Sequence, residues 1–563
     1  EIGVRLVGSE MCIRDRYRFN LLYVMKMRAI YNLLLGAAVI TLLQGCIKND
    51  IDYPQIALSI TGMQVEGQKE NAVISEKDRT VTLKLEENVN LRKVHVTKLS
   101  VTEGAKSTLA PQDIIDLTNP YEVILSLYQE YRWKVIAQQD IVRIFKMANQ
   151  VGLSEINPDT KVAIANVRKN TKWKELDLLE LKLGPKGTTY NGKTEVPELK
   201  WTLYSNYASA QVKVQYQDFF EENWELRVYR KDKDVEMKRA DGWVNVAWLY
   251  AEGIEGSDNG FEIRETTTEE WRKVDNSYIT ADGAAFSARI PHLKEQTTYV
   301  CRAYSGEDYS EELPFTTGIA KQLPNAKFDE WHLKGKVYNF WAEGGEEFWG
   351  SGNKGASILR SITTPDGTNT WNGQTGTSVK MESMYAVIKF AAGNLFAGYW
   401  YDFAEGSFTD GHLKFGRPFT ERPTRLTGYY KYTTGPVNQM DKDSDKYDEL
   451  YPLLKDKDDT CIIWVALGDW DAPIDIITAK TSSKRKMFDQ NDPHVIAYGE
   501  FTQGKTINNF EPFEVELEYR DTNRVPNYIL VVCSSSKYGD YFFGSDQSVM
   551  WVDDFTLEYD YND

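Results

Sequence analysis

From about residue 53 onward, apolar residues recur at every second position in short runs, and Gly-, Asn- and Asp-rich turns divide the runs. Thr80–Leu85, His95–Val101, Tyr131–Val135, Asn223–Val228, Phe261–Arg264 and Leu426–Tyr432 all alternate in this way. Such alternation predicts half-buried strands, whose side chains point to opposite faces in turn. Two runs, Cys461–Leu467 and Tyr528–Cys533, are nearly continuous in apolar residues and predict central strands covered on both faces. A helical pattern is expected only over Tyr447–Leu454, for a turn or two. The expected class is therefore all-β. A chain of 563 residues is too long for one core, so several sandwiches in series are expected.

The runs fall into blocks. Asn90–Val101 aligns with Lys172–Leu183, and each copy closes on an aromatic strand, around Trp133 and Trp224. Residues 53–139 and 140–231 are thus read as two related immunoglobulin-like units. In residues 232–318, Val244, Val246 and Trp248 are expected on one core-facing side of a strand, with Trp248 buried. Leu293, Thr297, Tyr299, Cys301 and Ala303 resemble the tyrosine corner of fibronectin type III domains, with Glu295-Gln296 in place of the family's proline. That resemblance implies a spacer in which Tyr299 bonds back to the main chain. Cys301 is read as a small core residue. Residues 319–563 form the last and longest block.

The N-terminus reads as an address. Lys26 and Arg28 precede an apolar run, Leu33–Leu43, which is too short to span a bilayer, and Leu43-Gln44-Gly45-Cys46 follows. Residues 27–45 are expected to be a signal peptide. The Cys46 context resembles the lipobox of bacterial lipoproteins, which implies diacylation of the thiol and attachment to a membrane. Residues 46–52 are a polar tether, loosely similar to export signals of Bacteroidetes surface lipoproteins. Gly8–Arg16 resembles translated adapter sequence, so residues 1–26 are set aside.

Composition narrows the function. The net charge of −17 and the lack of a long basic run argue against a nucleic-acid partner, whose phosphates demand a basic face. Five Cys and five His occur singly, without CxxC or zinc spacing. Cys461 and Cys533 are expected as core thiols. Fifteen Trp and 33 Tyr, by contrast, make an aromatic-rich chain.

The last block holds Asn325, Phe328, Trp331, Phe348-Trp349, Gly352-Asn353, Gly393–Gly398, Phe415–Phe419, Arg422-Pro423, Gly428–Tyr432 and Val552–Phe555. On these residues it resembles the "putative carbohydrate metabolism domain" of Bacteroidetes surface lipoproteins, which implies a jelly roll similar to carbohydrate-binding modules. In related jelly rolls, an acidic residue after the first aromatic joins an Asp on the last strand to hold structural calcium. Asp329 or Glu330 with Asp553 occupy those positions; the alternative is solvated strand-end carboxylates.

Aromatic residues near Gly- and Asn-rich loops suit a sugar platform, because the C–H face of a pyranose stacks on an indole. The candidates are Trp371 (flanked by Asn369, Asn372 and Gly373), Trp400, Trp349, Trp341 and Tyr399, with Tyr401 nearby. Arg417 and Arg422 are candidate hydroxyl ligands. Core burial is the competing role for each Trp. Glycoside hydrolysis needs two carboxylates across a cleft, and Glu343, Glu346, Glu347, Asp402, Glu405, Asp469 and Asp471 offer candidates without a distinguishing spacing. The expected function is non-catalytic glycan capture by a monomeric, surface-anchored outer-membrane lipoprotein. The alternatives are a glycoside-acting enzyme and an adhesin or structural surface protein.

Overall fold

The computed structural model describes residues 57–562 apart from Val196, Ile358, Gln374, Val387 and Ile388. Cys46, the signal peptide and the tether lie outside the described residues. The chain is a nearly all-β series of sandwiches whose described residues divide into two compact units, 57–141 and 142–562. No helix among the described residues is long and apolar enough to cross a membrane.

In the first unit, Ile60–Val65 pairs with Val94–Val101, while Thr80–Lys84 runs parallel to Glu130–Gln138. Between the two sheets lie Val81, Leu83, Val94, Val96, Val123 and Trp133. The second unit opens with the same strand plan. Ile144–Met147 pairs with Leu178–Lys182, and Val162–Arg168 runs parallel to Phe220–Lys231. Trp133 and Trp224 occupy the same place in the two plans, each fully buried. One alternating pattern used twice has therefore produced one topology twice.

Residues 236–316 form two facing antiparallel sheets. The Tyr299 hydroxyl accepts a hydrogen bond from the Lys294 N–H (3.0 Å), and Leu293 is buried beside it. Cys301 is a free, buried thiol that burial pushes up to about 12. The expected parity of the neighbouring strand is corrected. The strand is Ala247–Glu252, and Ala247, Leu249 and Ala251 face the sandwich core. Trp248 is half-buried on the opposite side, beside Trp243. The 243–246 stretch precedes the strand, so the inward positions are the odd ones. Val244 belongs to the core of the C-terminal domain instead.

That domain is a two-sheet sandwich. The larger sheet runs in the order 474–477, 411–415, 394–403, 528–534, 461–468, 495–503, 518–519. The smaller runs 363–366, 378–382, 549–558, 425–433, 507–516. Leu395, Ala397, Ile463, Val465, Ile529 and Val531 meet Val379, Met381, Leu426, Val515, Met550 and Val552 across the interior. Cys461 and Cys533 are free core thiols; burial pushes Cys461 up to about 12 and Cys533 higher. The larger sheet is covered on its second face as well, through Phe396, Leu413, Ala466, Leu530 and Val532. This double cover is why the Cys461–Gly468 and Tyr528–Ser534 strands carry apolar residues at almost every position.

The 236–316 module and this domain are joined by partly buried polar contacts. Arg422 donates to Gly242 O (2.8 Å) and Thr522 O (3.1 Å), and the Trp243 indole N–H also donates to Thr522 O (2.9 Å). Trp243 packs on Tyr519, and the Thr522 hydroxyl donates to the Asp241 carboxylate (2.9 Å). Arg422 is thus a structural tie, and this corrects its assignment as a ligand residue.

Candidate functional sites on the C-terminal domain

Three places gather the aromatic and acidic candidates. The first surrounds Trp371. The Asp366 carboxylate accepts from the Thr368 and Asn369 main chain, the Thr368 hydroxyl, the Asn369 amide and the Trp551 indole. Burial alone would raise this carboxyl, but the five donors outweigh it and hold it well below the usual range. The loop so fixed lays Trp371 flat on Tyr429, with centroids 3.4 Å apart and planes 9° apart. One indole face is therefore occupied by protein. The Asn369 side-chain oxygen accepts from Lys431 (2.9 Å), so this Asn supports the loop rather than standing free.

Beside Trp371, the Asp553 Oδ2 accepts the Trp371 N–H (2.9 Å), and Asp329 Oδ1 accepts the Thr377 N–H (2.9 Å). Asp329, Asp553 and Asp554 line one small pocket of about 170 Å³. Asp553 is only 7 % exposed. Its carboxyl is pushed up to about 6 by burial, with Asp554 and Asp329 adding repulsion. Gly376 closes against Asp329, at a positive φ and with no room for a Cβ. Glu330 is not brought to this pocket; its main chain bonds to Asn325 instead. Among the described residues, no group of three or more His, Cys, Asp or Glu converges as a metal centre.

The second place is a cleft of about 210 Å³ at the end of strand Asn394–Phe403. Trp400, Phe390, Phe408, Leu413 and Phe542 supply apolar walls. The distal edge of the Trp400 ring lies against Gly355, where a Cβ would collide, and close to Gly411, where one would be tight. Two charged groups reach this cleft. Lys389 is paired with Asp410 (3.1 Å) and lies over the Phe542 ring. Asp540 has no hydrogen bond or ion pair among the described residues, and burial pushes its carboxyl up to about 6. Phe408 stands 89 % exposed at the lip.

The third place is a crevice with room for about one water, lined by Trp341, Glu347, Trp349, Lys354 and Trp400. Trp400 is common to cleft and crevice. Burial raises the Glu347 carboxyl, against the opposing charges of Arg417 and Lys354. Arg417 donates to Phe348 O (3.0 Å) and Gly398 O (2.7 Å) and lies over the Tyr399 ring. Trp341 is half-buried with its edge against His332.

The structure thus brings Trp341, Trp400 and Glu347 to one crevice, stacks Arg417 on Tyr399 within reach of the Glu347 charge, and places Trp371 apart with the acidic pocket. Trp349 is 1 % exposed, with its indole N–H donated to Pro324 O (2.8 Å). Its ring packs among Phe328, Phe348 and Phe555. It is a core residue, and this corrects its place on the sugar platform. Sequence reasoning missed Asp540 and Phe408. A signal existed for Phe408, a large apolar residue inside the turn cluster Glu405–Gly411.

No curated protein matches this chain. Among solved structures, it resembles a "putative glycoside hydrolase" of Bacteroides thetaiotaomicron at 13 % identity, over 91 % of this chain and 99 % of that one, with a TM-score of 0.28. A "putative glycoside hydrolase" of Bacteroides vulgatus shares 21 % identity over 42 % of this chain and 94 % of its own, with a TM-score of 0.29. The SGBP-B protein of a Bacteroides ovatus mixed-linkage glucan utilization locus, solved with a heptasaccharide, shares 10 % identity over 84 % of this chain and 99 % of its own, with a TM-score of 0.18. Overlaps this loose carry no assignment of activity. The match that covers the three places is to a family model. Residues 327–558 match the one described as "Putative carbohydrate metabolism domain", and the aromatic cleft, the crevice and the acidic pocket all lie within that matched stretch.

Proposed function

We propose that the chain is a lipid-tethered carbohydrate-recognition protein, whose C-terminal domain holds glycan at the Trp400 rim without cleaving it. The observation that carries the reading is the convergence at Trp400. Its half-buried indole walls both cleft and crevice, and Trp341, Glu347 and Lys354 line the crevice with it. Partly exposed aromatic rings beside charged groups are what a sugar needs, because stacking holds the ring and polar groups read its hydroxyls. The β-sandwiches preceding the domain act as spacers from a lipid on Cys46. Full-length protein is expected to bind a subset of a polysaccharide panel, and Trp400→Ala is expected to weaken that binding about tenfold or more while the melting profile persists. Unchanged binding by Trp400→Ala would refute the site. Fatty-acid labelling that persists in Cys46→Ser would refute the tether.

A specific feature favours glycoside hydrolysis as a second reading: two carboxyls raised by burial, Glu347 and Asp540, line the two spaces that share Trp400. Reducing-sugar release that vanishes in either Glu347→Gln or Asp540→Asn would establish it.

Calcium, which the resemblance implies, fits the Asp329–Asp553 pocket in part. Asp329, Asp553 and Asp554 line the site, and a cation would relieve their repulsion, with main-chain oxygens and water completing its shell. A bound ion would fasten the first and last parts of the domain together. Metal analysis of protein purified without chelator is expected to find calcium, and chelation to lower the melting temperature; the absence of both effects would refute the assignment.

A further inference from the structure

The Trp400 cleft differs from an open platform in three ways, and together these restrict what it can hold. The first is size. At about 210 Å³ it is smaller than the ~300–1,000 Å³ common for pockets that take drug-sized ligands. The space suits one ring rather than a run of several. The second is the character of its walls. Phe390, Leu413 and Phe542 are buried side chains, and Gly355 and Gly411 press the Trp400 ring into place. The exception is Phe408, which stands at the lip with most of its surface in water. A ring seated in the cleft would cover apolar surface of Phe408 that the empty protein leaves hydrated.

The third is charge. Lys389 and Asp540 both line the cleft, yet they are not equivalent. The Lys389 ammonium is matched by Asp410 at 3.1 Å and lies over the Phe542 ring. Asp540 has neither ion pair nor hydrogen bond among the described residues, although the charged form of a carboxylate in such surroundings asks for donors. The cleft therefore carries one half-buried carboxylate, without a protein partner among the described residues, beside aromatic walls.

We infer that this cleft recognises a single terminal sugar ring of a glycan, end-on, and that Asp540 reads a hydrogen-bond donor on that ring, an amino group best of all. The inference rests on the glycan reading above and adds the ligand's register and polarity. An internal residue of a long chain would need space for both neighbours, which a cleft of this size does not provide. A hexuronate would bring a carboxylate toward Asp540 and be disfavoured; a hexosamine would bring an ammonium and be favoured; neutral hexoses would lie between.

The test uses full-length protein at pH 7.5 with free hexosamine, N-acetylhexosamine, neutral hexose and hexuronate, and with an oligosaccharide series of increasing length. Affinities are measured by calorimetry and by competition. The expected results are competition by a free monosaccharide, an affinity that stops rising after the first one or two residues, and a hexosamine preferred over the matching hexuronate by about tenfold or more. Asp540→Asn is expected to abolish that preference for hexosamine over hexuronate. Phe408→Ala, an exposed site that does not endanger folding, is expected to weaken all the monosaccharides together. Oligosaccharide binding that grows with length, is untouched by Asp540→Asn and Phe408→Ala, and is not displaced by any monosaccharide would overturn the inference and leave glycan binding standing. Failure of every sugar at every length would remove the glycan reading itself.

Discussion

Replacing Arg422 with Ala separates its structural role from the ligand role that its neighbourhood in the sequence suggests. The half-buried guanidinium sits in the joint between the 236–316 module and the C-terminal domain, donating to Gly242 O and Thr522 O and lying 5.7 Å from the Trp243 ring. Truncation leaves the partly buried Gly242 O without its charged donor, a loss of up to about 1–3 kcal/mol. Thr522 O keeps the Trp243 indole N–H, so its loss is the smaller of the two. Lost packing of the Arg stem adds to this, while release of a buried cation offsets part of it. The net expectation is a loss of about 2–4 kcal/mol. Differential scanning calorimetry of the full chain is expected to show the module and the domain melting together in the wild type, because Val244 of the module sits in the domain's core. In Arg422→Ala that transition is expected to fall by on the order of 5–10 °C or to split. Glycan affinity of the folded variant is expected to stay within about twofold, since Arg422 lines neither the cleft nor the crevice. A stability change under about 0.5 kcal/mol, or a wild-type module that melts independently, would refute the reasoning.

Two further changes separate packing from chemistry. Trp349→Ala is expected to destabilise the C-terminal domain by about 3–5 kcal/mol, measured by urea unfolding, because it empties a fully buried indole site and strands the Pro324 carbonyl; a loss below about 1 kcal/mol would show that the site collapses or is not core. Asp475 is held well below the usual carboxylate range: burial would raise it, but hydrogen bonds from Lys414 and His412 outweigh that. A lowered folded-state value contributes stability that is present above the ordinary carboxylate pKa of about 4 and lost as pH falls through the folded value. Asp475→Asn is therefore expected to cost up to about 1 kcal/mol at pH 7 and progressively less below pH 4, read from melting curves across that range; a difference that grows on acidification would contradict the pairing.

The local pattern of the chain was enough to specify its strands and its class. Alternation along Thr80–Leu85 or Leu426–Tyr432 reports a half-buried strand, since the period is a property of the extended backbone itself. Continuous apolar runs at Cys461–Leu467 and Tyr528–Cys533 likewise told of strands covered twice, and the repeated Trp133 and Trp224 told of one plan used twice. Tyr299 could be read because its partner, Lys294, is five residues away.

What the sequence could not decide was which side of the molecule each aromatic residue faces, because that is set by partners hundreds of positions distant. Trp243 and Trp248 are close in sequence, yet the irregular stretch between them shifts the strand parity and sends Trp243 to Tyr519. Arg422 reads like a ligand residue until Gly242 and Thr522 arrive from elsewhere in the chain. Trp349 and Trp400 look alike as letters; only the fold closes Phe328 and Phe555 over the first and leaves the second on a cleft. Asp540 gave no local sign at all. Its isolation is a fact about Lys389, which comes from a segment some 150 residues earlier in the chain and is already matched by Asp410. Strand identity follows from local periodicity, whereas exposure, pairing and the lack of a pair are long-range quantities that exist only once the sheets have packed.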